Sequence, residues 1–126
     1  MKTIKFRAWD VLNSKWFDDI FAVGHSDEGN YVIDLDRWVY FEPTVIIEQF
    51  TGLLDKNGKD IYEGDVVMLK EAKRRYEVIF RDYSFKLKHF EDDVTQDLIW
   101  GALSRVKDFM WTIEIVGNIH ENPELP

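Results

Sequence analysis

The 126-residue sequence contains no cysteine, which excludes disulfides, thiolate nucleophiles and cysteine-ligated zinc, along with the enzyme classes that need them. It has only 3 prolines and 7 glycines, and it shows no low-complexity segment, internal repeat or heptad run. No stretch approaches the roughly 18 apolar residues that span a bilayer. Met1-Lys2-Thr3-Ile4-Lys5 leads into charge and not into an apolar leader core. The expected location is the cytoplasm, with no membrane partner.

Recognisable chemistry is equally sparse. His25, His89 and His120 are far apart and belong to no spaced metal motif. Ser14, Ser26, Ser84 and Ser104 lie outside any Gly-x-Ser-x-Gly elbow. No catalytic residue, metal or cofactor is therefore assigned, and the expectation is a protein without enzymatic activity.

Hydrophobic residues make up 45% of the chain, aromatics 15% and charged residues 32%. This is a globular composition rich in Trp and Phe, long enough for one ordinary domain or two very small ones. The formal charge of -8 disfavours general adhesion to nucleic acid, where Lys and Arg must displace counterions from phosphates. One segment opposes the average. Lys70 to Phe90 carries seven cations against three carboxylates, a basic island in an acidic chain.

The hydrophobic pattern predicts strands throughout. Ile4, Phe6 and Ala8 alternate with Lys5, Arg7 and Trp9, the period of a strand with one buried face. Asn13-Ser14 turns the chain toward Trp16-Phe17, and Asp27-Glu28-Gly29-Asn30 separates Phe21-Ala22-Val23 from Tyr31-Val32-Ile33, giving two hairpins. Trp38-Val39-Tyr40-Phe41 is stopped by Pro43, after which β-branched Thr44-Val45-Ile46-Ile47 resumes. A soft boundary is placed at Glu42 to Thr44, dividing an N-terminal hairpin region, 1–43, from a barrel region, 44–126. No Gly/Ser linker separates them, so close packing is expected.

Between Gln49 and Val67, Gly52 suggests a bulge or close backbone approach, and Asp55-Lys56-Asn57-Gly58 a hairpin-type turn. Glu63-Gly64-Asp65 then leads into Val66-Val67-Met68-Leu69, apolar on both faces as in a covered strand. Glu71 to Arg75 reads as a polar loop, and Tyr76, Val78, Phe80 with Phe85 and Leu87 as a regular hairpin whose Lys86 and Lys88 point outward. From Val94 to Val106, Leu98, Ala102, Leu103 and Val106 recur at helical spacing behind an Asp93 cap, giving at most one short helix. Trp111, Ile113 and Ile115 form a last strand. The expected class is mainly all-β.

Three pieces together resemble the YopX family of small phage and prophage proteins: Ile4-Lys5-Phe6-Arg7-Ala8-Trp9-Asp10, the stretch Gln49 to Val67, and Glu114-Ile115-Val116-Gly117-Asn118-Ile119-His120-Glu121-Asn122-Pro123-Glu124-Leu125. The resemblance implies an irregular N-terminal β region, a small C-terminal SH3-like barrel, and action inside a bacterial host. It implies no established activity and transfers no catalytic residue. Its signature positions, Arg7, Trp9, Asp10, Gly52, Asp55, Gly58, Tyr62, Gly64, Asp65, Gly117, Asn118, Asn122 and Pro123, look structural.

Four groups of residues have chemistry that could form a site. Asp55 to Asp60 offers oxygen ligands, but an EF-hand needs Gly sixth and Glu twelfth; here Gly58 is fourth and Val66 twelfth. Asp60, Glu63 and Asp65 could pair as acid and base, although Asp65 after Gly64 suits a turn acceptor. Lys73, Arg74, Arg75, Lys86 and Lys88 could form a nucleic-acid face. The plainer account is a solvated strand face balanced by Glu71, Glu77 and Glu91 to Asp93. Trp9, Trp16, Trp38, Trp100 and Trp111 mostly fall on strand patterns. Five tryptophans nevertheless exceed what so small a core needs, and Trp38, Tyr40 and Phe41 form the candidate surface for a protein partner or self-association. Protein contact is the leading expectation, with nucleic-acid binding as the alternative.

Overall fold

The computed structural model describes residues 4–69, 74–90, 94–97 and 113–124. Among these the chain forms strands joined by turns, with no helix, an all-β architecture with barrel-like parts. It divides into two compact units, Met1–Phe50 and Thr51–Pro126. The Glu42 to Thr44 turn lies inside the first unit and leads directly into a 10-residue strand.

In the first unit, β1 (Phe6–Asp10) pairs with β2 (Lys15–Trp16) on one side and with β6 (Val45–Leu54) on the other, both antiparallel. A second, three-stranded sheet contains β3 (Ile20–Ser26), β4 (Gly29–Asp34) and β5 (Val39–Phe41) in that order. The expected hairpins are present, with Trp9 opposite Trp16 and Ser26 opposite Gly29. Burial follows alternation only in part, since β1 buries Ala8, Trp9 and Asp10 in succession. Ala8, Val32 and Val45 are sealed from water, with Phe17, Ile20, Val23, Tyr40 and Ile47 packed around them. Each fully buried aliphatic side chain of Val size contributes about 1.5–3 kcal/mol.

Gly24 is required by a close approach. A Cβ there would fall 2.5 Å from Tyr31 Cζ on the opposite strand, so the glycine lets the Tyr31 ring cross β3 and meet Phe41 edge-on at 5.7 Å.

In the second unit, the end of β6 is followed by β7 (Asp60–Tyr62), and the Thr51 hydroxyl donates to the Ile61 carbonyl at 2.8 Å. The five-stranded sheet is ordered β11 (Thr95–Asp97), β10 (Ser84–His89), β9 (Arg74–Arg81), β8 (Asp65–Leu69), β12 (Ile113–Asn118). Its core is Ile61, Val67, Leu69, Tyr76, Val78, Phe85, Leu87 and Ile113. Val66 and Val67 are both fully buried, as the doubly apolar run predicts.

Two local expectations are corrected. Thr95–Asp97 pairs with Lys88, Leu87 and Lys86 as an edge strand, so the helix expected from Val94 does not begin there. The free edge of β10 offers these residues ladder hydrogen bonds, and the β-branched Val94-Thr95 pair suits them. The remainder of that helix lies outside the described residues. Arg74 and Arg75, assigned to a loop, extend β9 and pair with Leu69 and Met68. Sheet pairing there overrides a locally polar sequence.

Candidate functional site

The first unit presents a turn between β4 and β5 that is held unusually firmly. Asp34 Oδ1 accepts from the backbone N–H of Asp36 at 2.9 Å and of Trp38 at 3.0 Å, while Oδ2 accepts from the Tyr40 hydroxyl at 3.0 Å. The Arg37 N–H donates to the Asp34 carbonyl, and the Asp34 N–H to the Trp38 carbonyl. Arg37 takes the left-handed conformation, φ 71°, which this double closure selects. A carboxylate that spans its own turn in this way removes most of the freedom of residues 35–38.

What the turn displays is apolar. Trp38 is 68% exposed, Leu35 60% and Phe21 55%. Phe21 follows Ile20, the partner of Asp34, and the Arg37 guanidinium lies 3.5 Å above its ring. The three expected contact residues therefore separate. Trp38 points to solvent, whereas Tyr40 packs 5.1 Å from Phe17 and Phe41 against Tyr31. Val39, 47% exposed, joins Trp38. Trp38 belongs to the turn before β5, whereas Tyr40 packs on the core cluster and Phe41, on the other side of the strand, meets Tyr31.

Beside the turn is a cleft of about 500 Å³ lined by Asp10, Asn13, Lys15, Trp16, Phe17, Asp18, Asp19, Asp34, Leu35, Asp36 and Tyr40. Five aspartates face one lysine. Asp10 is committed to the β1–β2 turn: Oδ1 accepts from the N–H groups of Leu12 and Asn13, and Oδ2 from the Asn13 amide at 2.7 Å. The Asn13 side chain holds the Asp10 carboxyl below its ordinary range, aided by those backbone donors and Lys15, against the upward push of burial. The Tyr40 hydroxyl is pushed up by its bond to Asp34, then by burial and by the charges of Asp34, Asp10 and Asp36. The cleft is a negative field with aromatic walls.

The basic hairpin is less unified than its composition suggests. Lys86 faces Ile79 and Lys88 faces Glu77 across the β9–β10 ladder, and Arg75 shares their side of the sheet. Glu77 stands among them. Arg74 is on the opposite face with Tyr76 and contacts His89 Nδ1 at 3.2 Å. Lys73 lies outside the described residues. The structure thus brings together Arg75, Lys86 and Lys88 and sets Arg74 apart.

Most of the signature positions sit in turns and sheet contacts. Arg7 bonds Glu48 at 3.0 Å and stacks 4.3 Å from Trp16, which meets Trp9 edge-on at 4.9 Å. Asp65 Oδ2 accepts from the Tyr62 N–H at 2.8 Å, the turn role expected of it. Gly64 is buried at φ 84°, its N–H bonded to Val78 and its carbonyl accepting from Ile119. Gly58 takes φ 80° in the Asp55 turn, where its N–H donates to the Asp55 carbonyl; Gly52 takes φ 88° with open space around it. Asn118 Oδ1 accepts from the N–H groups of His120 and Glu121, and its own N–H donates to Asn122. Gly117 takes up a register shift after Ile115, and Pro123 follows the closing turn.

Asp55 does more than its turn requires. Oδ1 accepts from Asn57 and Lys59, while Oδ2 reaches the Ile115 N–H at 3.0 Å, 60 residues away. Burial raises this carboxyl, but the Ile115, Lys59 and Asn57 donors and the Lys59 charge outweigh it and leave it below the ordinary range.

Residues 5–125 match the family model described as YopX protein. The chain belongs to the YopX protein family. Protein EF1440 from Enterococcus faecalis is 26% identical, with 99% of each chain covered and a TM-score of 0.62. Protein yopX from Bacillus subtilis is 21% identical, covering 100% of this chain and 99% of its own, with a TM-score of 0.61. The latter likeness is one of fold. No curated protein matches.

In this YopX-family chain the match spans both units, including the Asp34 turn and the basic hairpin. Sequence reasoning missed Phe21, Leu35 and the cleft aspartates Asp18, Asp19, Asp34 and Asp36, and gave Asp10 only a structural part. The signal available was Asp34-Leu35-Asp36-Arg37-Trp38, where apolar residues interrupt a charged turn. Nothing in the chain announces that Asp10, Asp18 and Asp19 line a cleft with that turn.

Proposed function

We propose that this protein is a non-enzymatic binding module that engages another protein through the Asp34–Trp38 turn, with Trp38 as anchor. The observation that carries this reading is the combination of a 68% exposed Trp38 with a backbone fixed by the Asp34 carboxylate. A Trp held in place before binding loses little conformational freedom on docking, and Trp and Arg are the residues most enriched at interface centres. Leu35, Val39 and the Arg37–Phe21 pair extend the apolar area around it.

The test is affinity capture from bacterial lysate with wild-type protein and Trp38→Ser, whose exposed side chain leaves the fold intact. Partners held by wild-type and lost by the variant support the reading. An identical set of captured proteins refutes it. Sedimentation of both proteins over a concentration range separates a foreign partner from a second copy.

A further inference from the structure

We propose that the partner segment is cationic: an arginine or lysine of the partner enters the aspartate-lined cleft while an apolar neighbour packs on Leu35 and Trp38. This rests on the reading of Trp38 as an anchor and adds the chemistry of what it anchors. Leu35 supplies the geometric link, because it lines the cleft, is 60% exposed and belongs to the same turn as Trp38. A chain lying across the turn therefore meets both the anchor and a residue of the cleft wall.

The cleft selects by charge and shape. Asp10 and Asp34 are committed to their own turns, and one oxygen of Asp19 accepts from Ile20. Asp18 and Asp36 are exposed, and among the described residues their side-chain carboxylates take part in no hydrogen bond or ion pair; the Asp36 backbone N–H is the donor to Asp34. These two side chains are the carboxylates available to an incoming cation. Lys15 is the single cationic group in the lining, so an anionic or neutral segment would desolvate these carboxylates without compensation. Among the described residues no three acidic or histidine groups converge closely enough to hold a metal ion. Carboxylates spread around a cleft with Trp16, Phe17 and Tyr40 in its walls suit an extended organic cation, since guanidinium and ammonium groups are attracted to both aspartate and ring faces.

The experiment is selection of a random-peptide library on the full-length protein, followed by affinity measurement of the enriched peptides against four proteins. These are wild-type, Trp38→Ser, the cleft variant Asp18→Asn/Asp36→Asn, and a control, Asp27→Asn/Glu28→Gln, that removes the same charge at the exposed β3–β4 turn. The expected result is enrichment of Arg or Lys next to apolar residues. Binding should be lost in Trp38→Ser, weakened about tenfold in the cleft variant as two exposed ion pairs disappear, and unchanged in the control. Peptides that depend on Trp38 but carry no basic residue, or that bind the cleft variant as well as wild-type, overturn the cationic assignment and leave the anchor standing. Basic peptides weakened equally by cleft and control variants reflect net charge alone and also overturn it. Failure to obtain any Trp38-dependent peptide overturns both.

Discussion

Asp55→Ala removes a carboxylate that joins two distant parts of the second unit. Its three acceptor contacts differ in what replaces them. Asn57 and Lys59 are exposed, so water can take up their N–H groups at a cost near 0.5–1 kcal/mol each, in the lower part of the range for a net hydrogen bond. The Ile115 N–H is half-buried inside β12. Leaving it unpaired costs about 1–3 kcal/mol. The expected loss is about 3 kcal/mol, which for a chain of this length lowers Tm by roughly 10–15 °C.

Asp55→Asn sharpens the argument because shape is kept while one oxygen becomes a donor. Whichever way the amide turns, it opposes an N–H, so a loss of about 2 kcal/mol is expected. Urea unfolding followed by far-UV circular dichroism measures both variants, and amide exchange at Ile115, Asn57 and Lys59 locates the loss. The pH dependence has a definite sign. The folded carboxyl titrates below its ordinary range, so its contribution is present above the unfolded value near about 3.9 and is lost as pH falls through the folded value. The gap between wild-type and Asp55→Asn should accordingly narrow below about pH 4. If both substitutions cost under about 1 kcal/mol, or if the gap is constant with pH, the assigned role of Asp55 is wrong.

Further outcomes follow from the other turns and close contacts. Asn13→Ala should raise the Asp10 pKa toward ordinary carboxylates, read by NMR titration; an unchanged value would deny the amide its leading part. Gly64→Ala should cost about 1–2 kcal/mol in urea midpoint analysis, because a side chain is strained at φ 84°. Gly24→Ala should destabilise by about 1–3 kcal/mol through displacement of Tyr31, and this cost should largely vanish in a Tyr31→Ala background, a double-mutant cycle that isolates the contact. Asp34→Ala should loosen the β4–β5 turn, with NMR order parameters at residues 36 and 38 falling from about 0.85 toward 0.6; rigid amides in that variant would mean that Asp34 does not hold the turn.

The hairpins were legible because their information is local. Alternation in Tyr76 to Val78 and in Phe85 to Leu87 specifies a buried face, and Asn13-Ser14 or Glu63-Gly64-Asp65 specifies a turn. The alternation fails at Phe80, which is 50% exposed, and in β1, where Ala8, Trp9 and Asp10 are buried in succession. The short edge strand at Thr95 was not legible, since three residues carry almost no periodic signal and the deciding partner, β10, lies beyond a turn. Arg74 and Arg75 were misread for a related reason. Their polarity suits a loop, and only pairing with Leu69 and Met68 makes them strand.

By itself the sequence determined an all-β protein without thiol chemistry, the positions of its main hairpins, and the family to which it belongs. These depend on residue type and short-range spacing, which the chain displays directly. Tertiary structure alone decided that Asp55 serves Ile115, that Arg75 parts from Arg74, and that Trp38 stays exposed while Tyr40 packs against Phe17 and Phe41 against Tyr31. It also decided that Asp10, Asp18, Asp19, Asp34 and Asp36 line one cleft. Each of those outcomes joins residues far apart in the chain or assigns a face, and only the folded backbone fixes which groups meet and which are left to water.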